Sequence, residues 1–172
     1  DLEQFEERFI IQSSKIYDRS GKILLFEAAK DAKRTYVNLD EISLYLQKAT
    51  IAAEDDDFYN HPGIDIKSIL RAISFDIINI GEKNPQGGST ITQQFIKNAM
   101  LLERNEKGEI IGQAPRTIQR KIKEAILAFE IERRYSKDKI LEFYLNEISY
   151  GSIFYGAEAA SQSYFQKPAK DL

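Results

Sequence analysis

The stretch "DEISLYLQKATIAAEDDDFYNHPGID", residues 40–65, decides between two fold classes. Its carboxylate run, Glu54-Asp55-Asp56-Asp57, contains a nominal D-x-D, the metal site of nucleotide-sugar transferases, which follows a strand in an α/β fold. The residues in front of the run do not read as a strand. From Asp40, an N-cap residue type, Ile42, Leu46, Ala49 and Ala53 recur at helical spacing. No βαβ pattern surrounds them. An EF-hand is excluded as well, because Tyr59 and Asn60 break the alternating order of oxygen ligands. The run therefore ends a helix, and "HPG" at 61–63 stops and turns the chain.

Working outward, the helical period persists. Ile66, Ile69, Leu70, Ile73 and Ile77 form a second apolar face, and "ISFDIINI" at 73–80 is apolar on more than one side, as deep core is, or as a surface that meets lipid or a partner is; core is the better reading. After the loop "NPQGGST", Thr90 and Gln93 stand at capping-box spacing, which predicts a helix from about Ile91. Ile91, Phe95, Ala99 and Leu102 then face inward, with Gln93, Lys97 and Met100 opposite and Gln94 at the margin. A polar loop at 103–115 ends on Pro115, placed to open a helix over 116–135. Its expected buried stripe is Ile118, Ile122, Ile126 and Phe129. A further helix after Ser136 carries Leu141, Tyr144, Leu145 and Ile148, and the small residues of "YGAEAASQSYF" at 155–165 suit close packing. The one clear β signal is "SKIYDRSGKILLFEA", two extended runs around Asp18–Gly21. The expected fold is mainly α with a small N-terminal β-hairpin. Residues 1–39 form the β/linker element and 40–172 the helical domain, expected to be cut short at its C-terminus.

The chain has 172 residues, enough for a proper core, and its 42% hydrophobic and 30% charged content is that of an ordinary folded protein. A net charge of −3 gives no reason to expect nucleic acid, so any anion site must come from a local cation cluster. Cysteine is absent, which excludes disulfides, thiolate metal sites and cysteine nucleophiles. No apolar run approaches the roughly 20 residues that span a bilayer.

Three constellations could carry chemistry. The acidic run is either a solvated helix end or a site that handles a proton; in the second reading Glu54 lies closest to the apolar helix and is the acid expected to be partly desolvated. Burial and neighbouring like charges both favour taking up a proton, which suits a general base or acid. His61, the only histidine, reads as a hydrogen-bonded structural residue. In "GGSTITQQFIKN", residues 87–98, paired glycines before a helix N-terminus let backbone N–H groups approach an anion, with Ser89, Gln94 and Lys97 as further donors. A glycine hinge before a capped helix explains the same residues almost as well. In "RKIKEA", residues 120–125, Arg120 and Glu124 sit one turn apart. They are either a surface ion pair worth a few tenths of a kcal/mol or, with Lys121, a diphosphate site.

Taken in order, "EDDDFYNHPGID", "GGSTITQQFIKN", "RKIKEA" and "KDKILEFYLNEI" resemble the successive motifs of the peptidoglycan glycosyltransferase domain of class A penicillin-binding proteins and monofunctional glycosyltransferases. Similarity extends through "VNLDEISLYLQKATIAAED" upstream and "YGAEAASQSYFQK" downstream. "YFQK" stands where the family usually has "YFGK", and the linker before "RKIKE" is longer than usual. The resemblance implies a lysozyme-like helical fold at the outer face of the bacterial cytoplasmic membrane, behind an N-terminal anchor that this chain lacks. It implies polymerisation of lipid II into β-1,4-linked glycan with inversion, releasing undecaprenyl diphosphate.

By that resemblance Glu54 matches the catalytic glutamate and Glu124 the second essential carboxylate. Ser89, Gln94, Lys97, Arg120 and Lys121 match positions that hold phosphate and sugar, and Asp55, His61 and Asn146 match supporting residues. The implied partners are lipid II, the growing lipid-linked glycan, the outer leaflet, moenomycin-type inhibitors and a C-terminal transpeptidase domain. No cofactor is fixed, and the family leaves magnesium or manganese open. The other enzyme reading is a lysozyme-like glycan hydrolase or lytic enzyme with Glu54 as its acid. A different class again is a catalytically silent glycan-binding or scaffold domain.

Overall fold

The computed structural model describes residues 14–28, 33–67, 88–102, 117–151 and 153–172. The expectations for the apolar segment beyond Lys67 and for the polar loop ending at Pro115 lie outside these residues.

The hairpin forms where the sequence places it. Strand β1 (Ser14–Tyr17) pairs antiparallel with β2 (Leu24–Ala28). Asp18 closes the turn by accepting from the backbone N–H groups of Lys22 and Ile23 and from the Ser20 hydroxyl. The Ser20 hydroxyl and then the Ile23 N–H hold its carboxyl down at about 2.

Helix α1 (Leu44–Glu54) begins one turn later than expected. Its cap is Ser43, whose Oγ accepts from Tyr45 N at 3.2 Å, while Asp40 sits in a preceding 3₁₀ turn (Leu39–Glu41). Ile42 is buried ahead of the helix, Leu46 is half-buried, and Ala49 and Ala53 are exposed. The stripe drawn through these four is broken because its first member, Ile42, is an extended residue between the 3₁₀ turn and the helix and does not share the helical period.

Helix α2 (Ile91–Ile96) opens with the expected capping box. Thr90 Oγ1 accepts from Gln93 N at 3.2 Å and Gln93 Oε1 accepts from Thr90 N at 3.3 Å. Ile91, Thr92, Gln93, Phe95 and Ile96 are all buried, so Gln93 does not lie on a polar outer side. A six-residue helix packed against two neighbours has no solvent face to offer. It continues into a π-helical turn, Lys97–Leu101.

Helix α3 (Ile118–Arg134) is capped by Thr117, whose Oγ1 accepts from Arg120 N at 3.2 Å. Its burial reverses the expected stripe. Ile122, Ile126 and Phe129 are 54%, 64% and 52% exposed, while Glu124, Ala128 and Ile131 are buried. Two local contacts turn that face inward: Glu124 gathers cations, and Ala128 is small enough for Gly63 to press on its carbonyl. Gly63, at φ +83°, has room for no side chain, since a Cβ there would stand 2.8 Å from Glu132 Cγ and 3.1 Å from Ala128 O.

Helix α4 (Lys137–Glu147), capped by Ser136, is the central element, buried without interruption from Ile140 to Glu147. Phe143 stacks on Phe95 of α2 with centroids 5.7 Å apart and takes Tyr135 edge-on at 5.3 Å. Each such large side chain contributes about 1.5–3 kcal/mol by leaving water.

The structure adds a short parallel pair that the sequence does not signal, β3 (Lys33–Arg34) with β4 (Phe154–Tyr155). Helix α5 (Ala157–Phe165) follows Gly156 and buries Ala157, Ala159 and Ala160, the close packing that its small residues suggest. The architecture is mainly α with a small N-terminal hairpin, as expected. Among the described residues, no helix is long and apolar enough to cross a membrane.

Candidate active site

Glu54 and Asp55 end α1 side by side and face opposite environments. Glu54 is exposed rather than partly desolvated, which corrects the sequence expectation; Asp55, one residue on, is the buried acid. The reason is local. At Asp55 the chain leaves the helix, and its carboxylate turns inward to meet two donors. His61 Nε2 lies 2.9 and 3.0 Å from its two oxygens, and Ile91 N donates to Oδ2 at 2.9 Å. Gly63 N donates to His61 Nδ1 at 3.2 Å, which places the proton of a neutral ring on Nε2, facing Asp55. Thr90 Oγ1 donates to Gly63 O at 2.7 Å. Asp55 and His61 thus bind the acidic run to the N-terminus of α2.

That tether brings Glu54 against the glycine-loop helix. Gln94 Nε2 donates to Glu54 Oε2 at 2.9 Å and lies 3.4 Å from Ser89 O. Tyr144 of α4 donates its hydroxyl to Gln94 Oε1 at 3.2 Å, so both ends of the amide are engaged and its NH₂ faces Glu54. Burial first, and then the Glu54 charge, push the Tyr144 hydroxyl up.

Ser89 carries the connection on to the cations. Lys121 Nζ donates to Ser89 Oγ at 2.6 Å and to Gln93 Oε1 at 3.3 Å. It also lies 3.2 Å from Glu124 Oε2, while Arg120 Nη1 is 3.0 Å from Glu124 Oε1. The Arg120–Glu124 pair is not an ordinary surface pair, because the Glu124 side chain is only 3% exposed. The Arg120 contact is close but out of line. Arg120 Nε and Glu124 Oε1 are buried without a hydrogen-bond partner among the described residues. Glu54, Ser89, Gln94, Arg120, Lys121 and Glu124 therefore form one continuous chain of contacts from three segments far apart in sequence.

Two predicted residues stand elsewhere. Lys97 is half-buried in the π-helical turn and no side-chain contact among the described residues ties it to this chain. Asn146 is a brace: its Oδ1 accepts from Val37 N, and its Nδ2 donates to Val37 O and Glu142 O.

Glu54 also borders a cleft of about 300 Å³, with Gln94, Asn98, Tyr144, Glu147, Ile148, Ser149 and Tyr155 as the other lining residues. Four of these escaped the sequence reading: Asn98, Glu147, Ser149 and Tyr155. Glu147 is buried and forks with Arg34, at 2.5 Å to Nη1 and 3.4 Å to Nη2. Arg34 also lies 5.0 Å over the Tyr155 ring. A usable signal did exist, since an acid in the last turn of a helix opposes the helix dipole and calls for a cation from elsewhere. Among the described residues, no three His, Asp or Glu side chains converge as a metal ligand set.

Comparison with known proteins places the chain. It matches the family described as "Transglycosylase" over residues 21–172. It is 39% identical to penicillin-binding protein 1A of Rickettsia conorii over 173 residues, covering 100% of this chain and 20% of that protein. It is 43% identical to penicillin-binding protein 1F of Bacillus subtilis over 168 residues, 97% of this chain and 21% of the other. Against penicillin-binding protein 1A of Aquifex aeolicus the identity is 44% over 162 residues, 94% and 20% respectively. The chain thus spans about a fifth of the length of these relatives. With all the segments of the site drawn from within the matched span, the chain belongs to the transglycosylase family, as a peptidoglycan glycosyltransferase domain.

Proposed function

We propose that this domain polymerises lipid II at the outer face of the cytoplasmic membrane, with Glu54 as general base and Arg120 and Lys121 as the diphosphate site. The observation that carries the reading is the contact chain from Glu54 through Gln94 and Ser89 to Lys121, Glu124 and Arg120. It sets a carboxylate at one end and two cations at the other.

The 4-hydroxyl of the incoming sugar gives its proton to Glu54 as its oxygen bonds to C1 of the lipid-linked donor. The C1–O bond on the opposite face breaks, and the electron pair leaves with undecaprenyl diphosphate, so C1 inverts. A diphosphate leaves without a proton; it needs its developing charge neutralised. Arg120 and Lys121 can do this, and Glu124 holds the two in place. The buried Arg120 Nε, unpaired among the described residues, costs about 1–3 kcal/mol that a bound anion would relieve. Exposure of Glu54 fits a base that must meet an incoming substrate, and Gln94, turned by Tyr144, fixes its carboxylate. Lys97 could add charge to the same anion once substrate is bound.

A second reading, a glycan hydrolase, draws support from Glu54 and Glu147 lining the same cleft, since two carboxylates are the usual hydrolytic set. Incubation with lipid-linked disaccharide and, separately, with finished glycan distinguishes the two. Long strands from the first substrate, lost in Glu54→Gln while the far-UV circular dichroism is retained, support transfer. Shortening of the polymer alone would overturn it.

A further inference from the structure

We propose that Glu147 is a specificity-determining residue on the acceptor side of the cleft. In this role it accepts a hydrogen bond from a hydroxyl of the incoming N-acetylhexosamine, next to the hydroxyl that Glu54 deprotonates. The proposal rests on the glycosyl-transfer reading above and assigns a residue that the reading does not use.

Sidedness comes first. Displacement with inversion needs the nucleophile and the leaving group on opposite faces of C1. The cations Arg120 and Lys121 connect to Glu54 by way of Ser89 and Gln94, which sets the leaving diphosphate on the glycine-loop side. The cleft shares Glu54 and Gln94 with that contact chain but is lined by none of Ser89, Arg120, Lys121 and Glu124; Glu147, Ser149 and Tyr155 are among its other lining residues. No lysine or arginine lines it among the described residues. A cavity of about 300 Å³ with hydroxyl, amide, carboxylate and aromatic walls suits an uncharged sugar better than a phosphate.

Glu147 is the one carboxylate other than Glu54 on that cleft. Arg34 grips it from outside the lining set, so the side chain is fixed in place before any sugar arrives. A carboxylate has about four lone-pair directions. The arginine fork engages each oxygen once. Arg34 is in turn seated on Tyr155, whose ring forms part of the same wall and offers an apolar surface to a sugar face. If Glu147 served only to tether β3 to α4, it would not need to border the cavity.

The experiment compares wild type with Glu147→Gln in elongation of a preformed lipid-linked glycan donor by defined lipid-linked disaccharide acceptors. The acceptors are the parent compound and its 3-deoxy and 6-deoxy forms, altered on the terminal N-acetylglucosamine. Expected are a roughly tenfold rise in acceptor KM for Glu147→Gln and unchanged affinity for a phosphoglycolipid inhibitor of the donor site. One deoxy acceptor should be penalised by wild type and not penalised further by the variant. Should Glu147→Gln fail to fold, Glu147→Asp, which keeps the charge and retracts it, must show the same selective rise. Equal acceptor KM in wild type and variant, or parallel losses toward inhibitor and every acceptor, would overturn the proposal. Wild type that elongates nothing would sink the transfer reading and this proposal together. Normal elongation with an indifferent variant would sink this proposal alone.

Discussion

Replacing Asp55 by Asn isolates what the buried neighbour of Glu54 contributes. Both partners of this carboxylate are donors: His61 Nε2, near both oxygens, and the backbone N–H of Ile91. An asparagine keeps the shape and exchanges one acceptor oxygen for an NH₂. If the nitrogen takes the Oδ2 position it confronts Ile91 N–H, and if it takes the Oδ1 position it confronts the His61 proton. The second arrangement keeps the Ile91 bond and half of the His61 contact, so it should prevail. The loss is then one hydrogen bond to a charged acceptor, about 1.5–3 kcal/mol. At roughly 2–4 °C per kcal/mol for a domain of this size, Tm should fall by about 3–12 °C. The domain stays folded at 25 °C, because total stability is on the order of 5–15 kcal/mol. Elongation should fall further than stability, since this bond also fixes the start of α2 and hence Gln94 against Glu54. Thermal melts at pH 7 and an elongation assay at 25 °C measure the two effects. The loss of Tm should persist in 0.5 M salt, because the site is closed to ions. A Tm within 2 °C of wild type would refute the assignment of Asp55 as the tether.

Gly63→Ala should cost about 2–5 kcal/mol, from a positive φ and from the collision with Glu132 and Ala128, read as a lowered denaturant midpoint. Tyr150→Phe should raise stability at pH 7 by about 1 kcal/mol, because the Tyr150 hydroxyl is buried with no partner among the described residues. The same variant tests alkaline behaviour, since burial pushes this hydroxyl up to about 12. Its proton is held more tightly folded than unfolded, where the value is about 10. The contribution is therefore complete below pH ~10 and lost as pH rises through the folded value. Melts from pH 9 to 12 should fall less steeply in the variant. The decline should not vanish, because burial also raises Tyr36 and Tyr144. Lys121→Ala should reduce elongation about 100-fold and weaken binding of a phosphoglycolipid inhibitor, measured by displacement of a fluorescent analogue.

Local rules written in adjacent residues were readable in the sequence. The Asp18–Gly21 turn, the Thr90–Gln93 capping box and the Ser136 cap depend on side chains reaching their own backbone, and all three occur. Errors came where a tertiary contact outranked periodicity. In α3 the apolar repeat Ile122–Ile126–Phe129 is exposed, because the inward face is given to Glu124 and to an alanine that lets Gly63 approach. At the site, residue types and spacing named Glu54, Gln94 and Lys121. They could not tell which of two adjacent acids turns inward, because that depends on where the helix releases the chain. Arg34 and Glu147 stand 113 positions apart and meet only after β3 has paired with β4, which no local pattern announces.

The division between Glu54 and Asp55 bears on why the site suits transfer better than hydrolysis. A hydrolase acting on a glycosidic bond must protonate a poor leaving alcohol, so it needs an acid kept neutral by an apolar pocket. Here the buried acid, Asp55, spends its oxygens on two donors of the scaffold, while Glu147 is forked with a guanidinium, the arrangement of a fixed anion. That leaves Glu54, open to solvent and held by one amide, as the carboxylate free to exchange a proton with a substrate. One exchangeable carboxylate can accept a hydroxyl proton but cannot also serve the departing group. The reaction then has to use a leaving group that departs unprotonated, and the paired cations around Glu124 stand where such a group would need them. Under the function proposed above, a sugar carried on a diphosphate is a better match to this site than a sugar carried on another sugar.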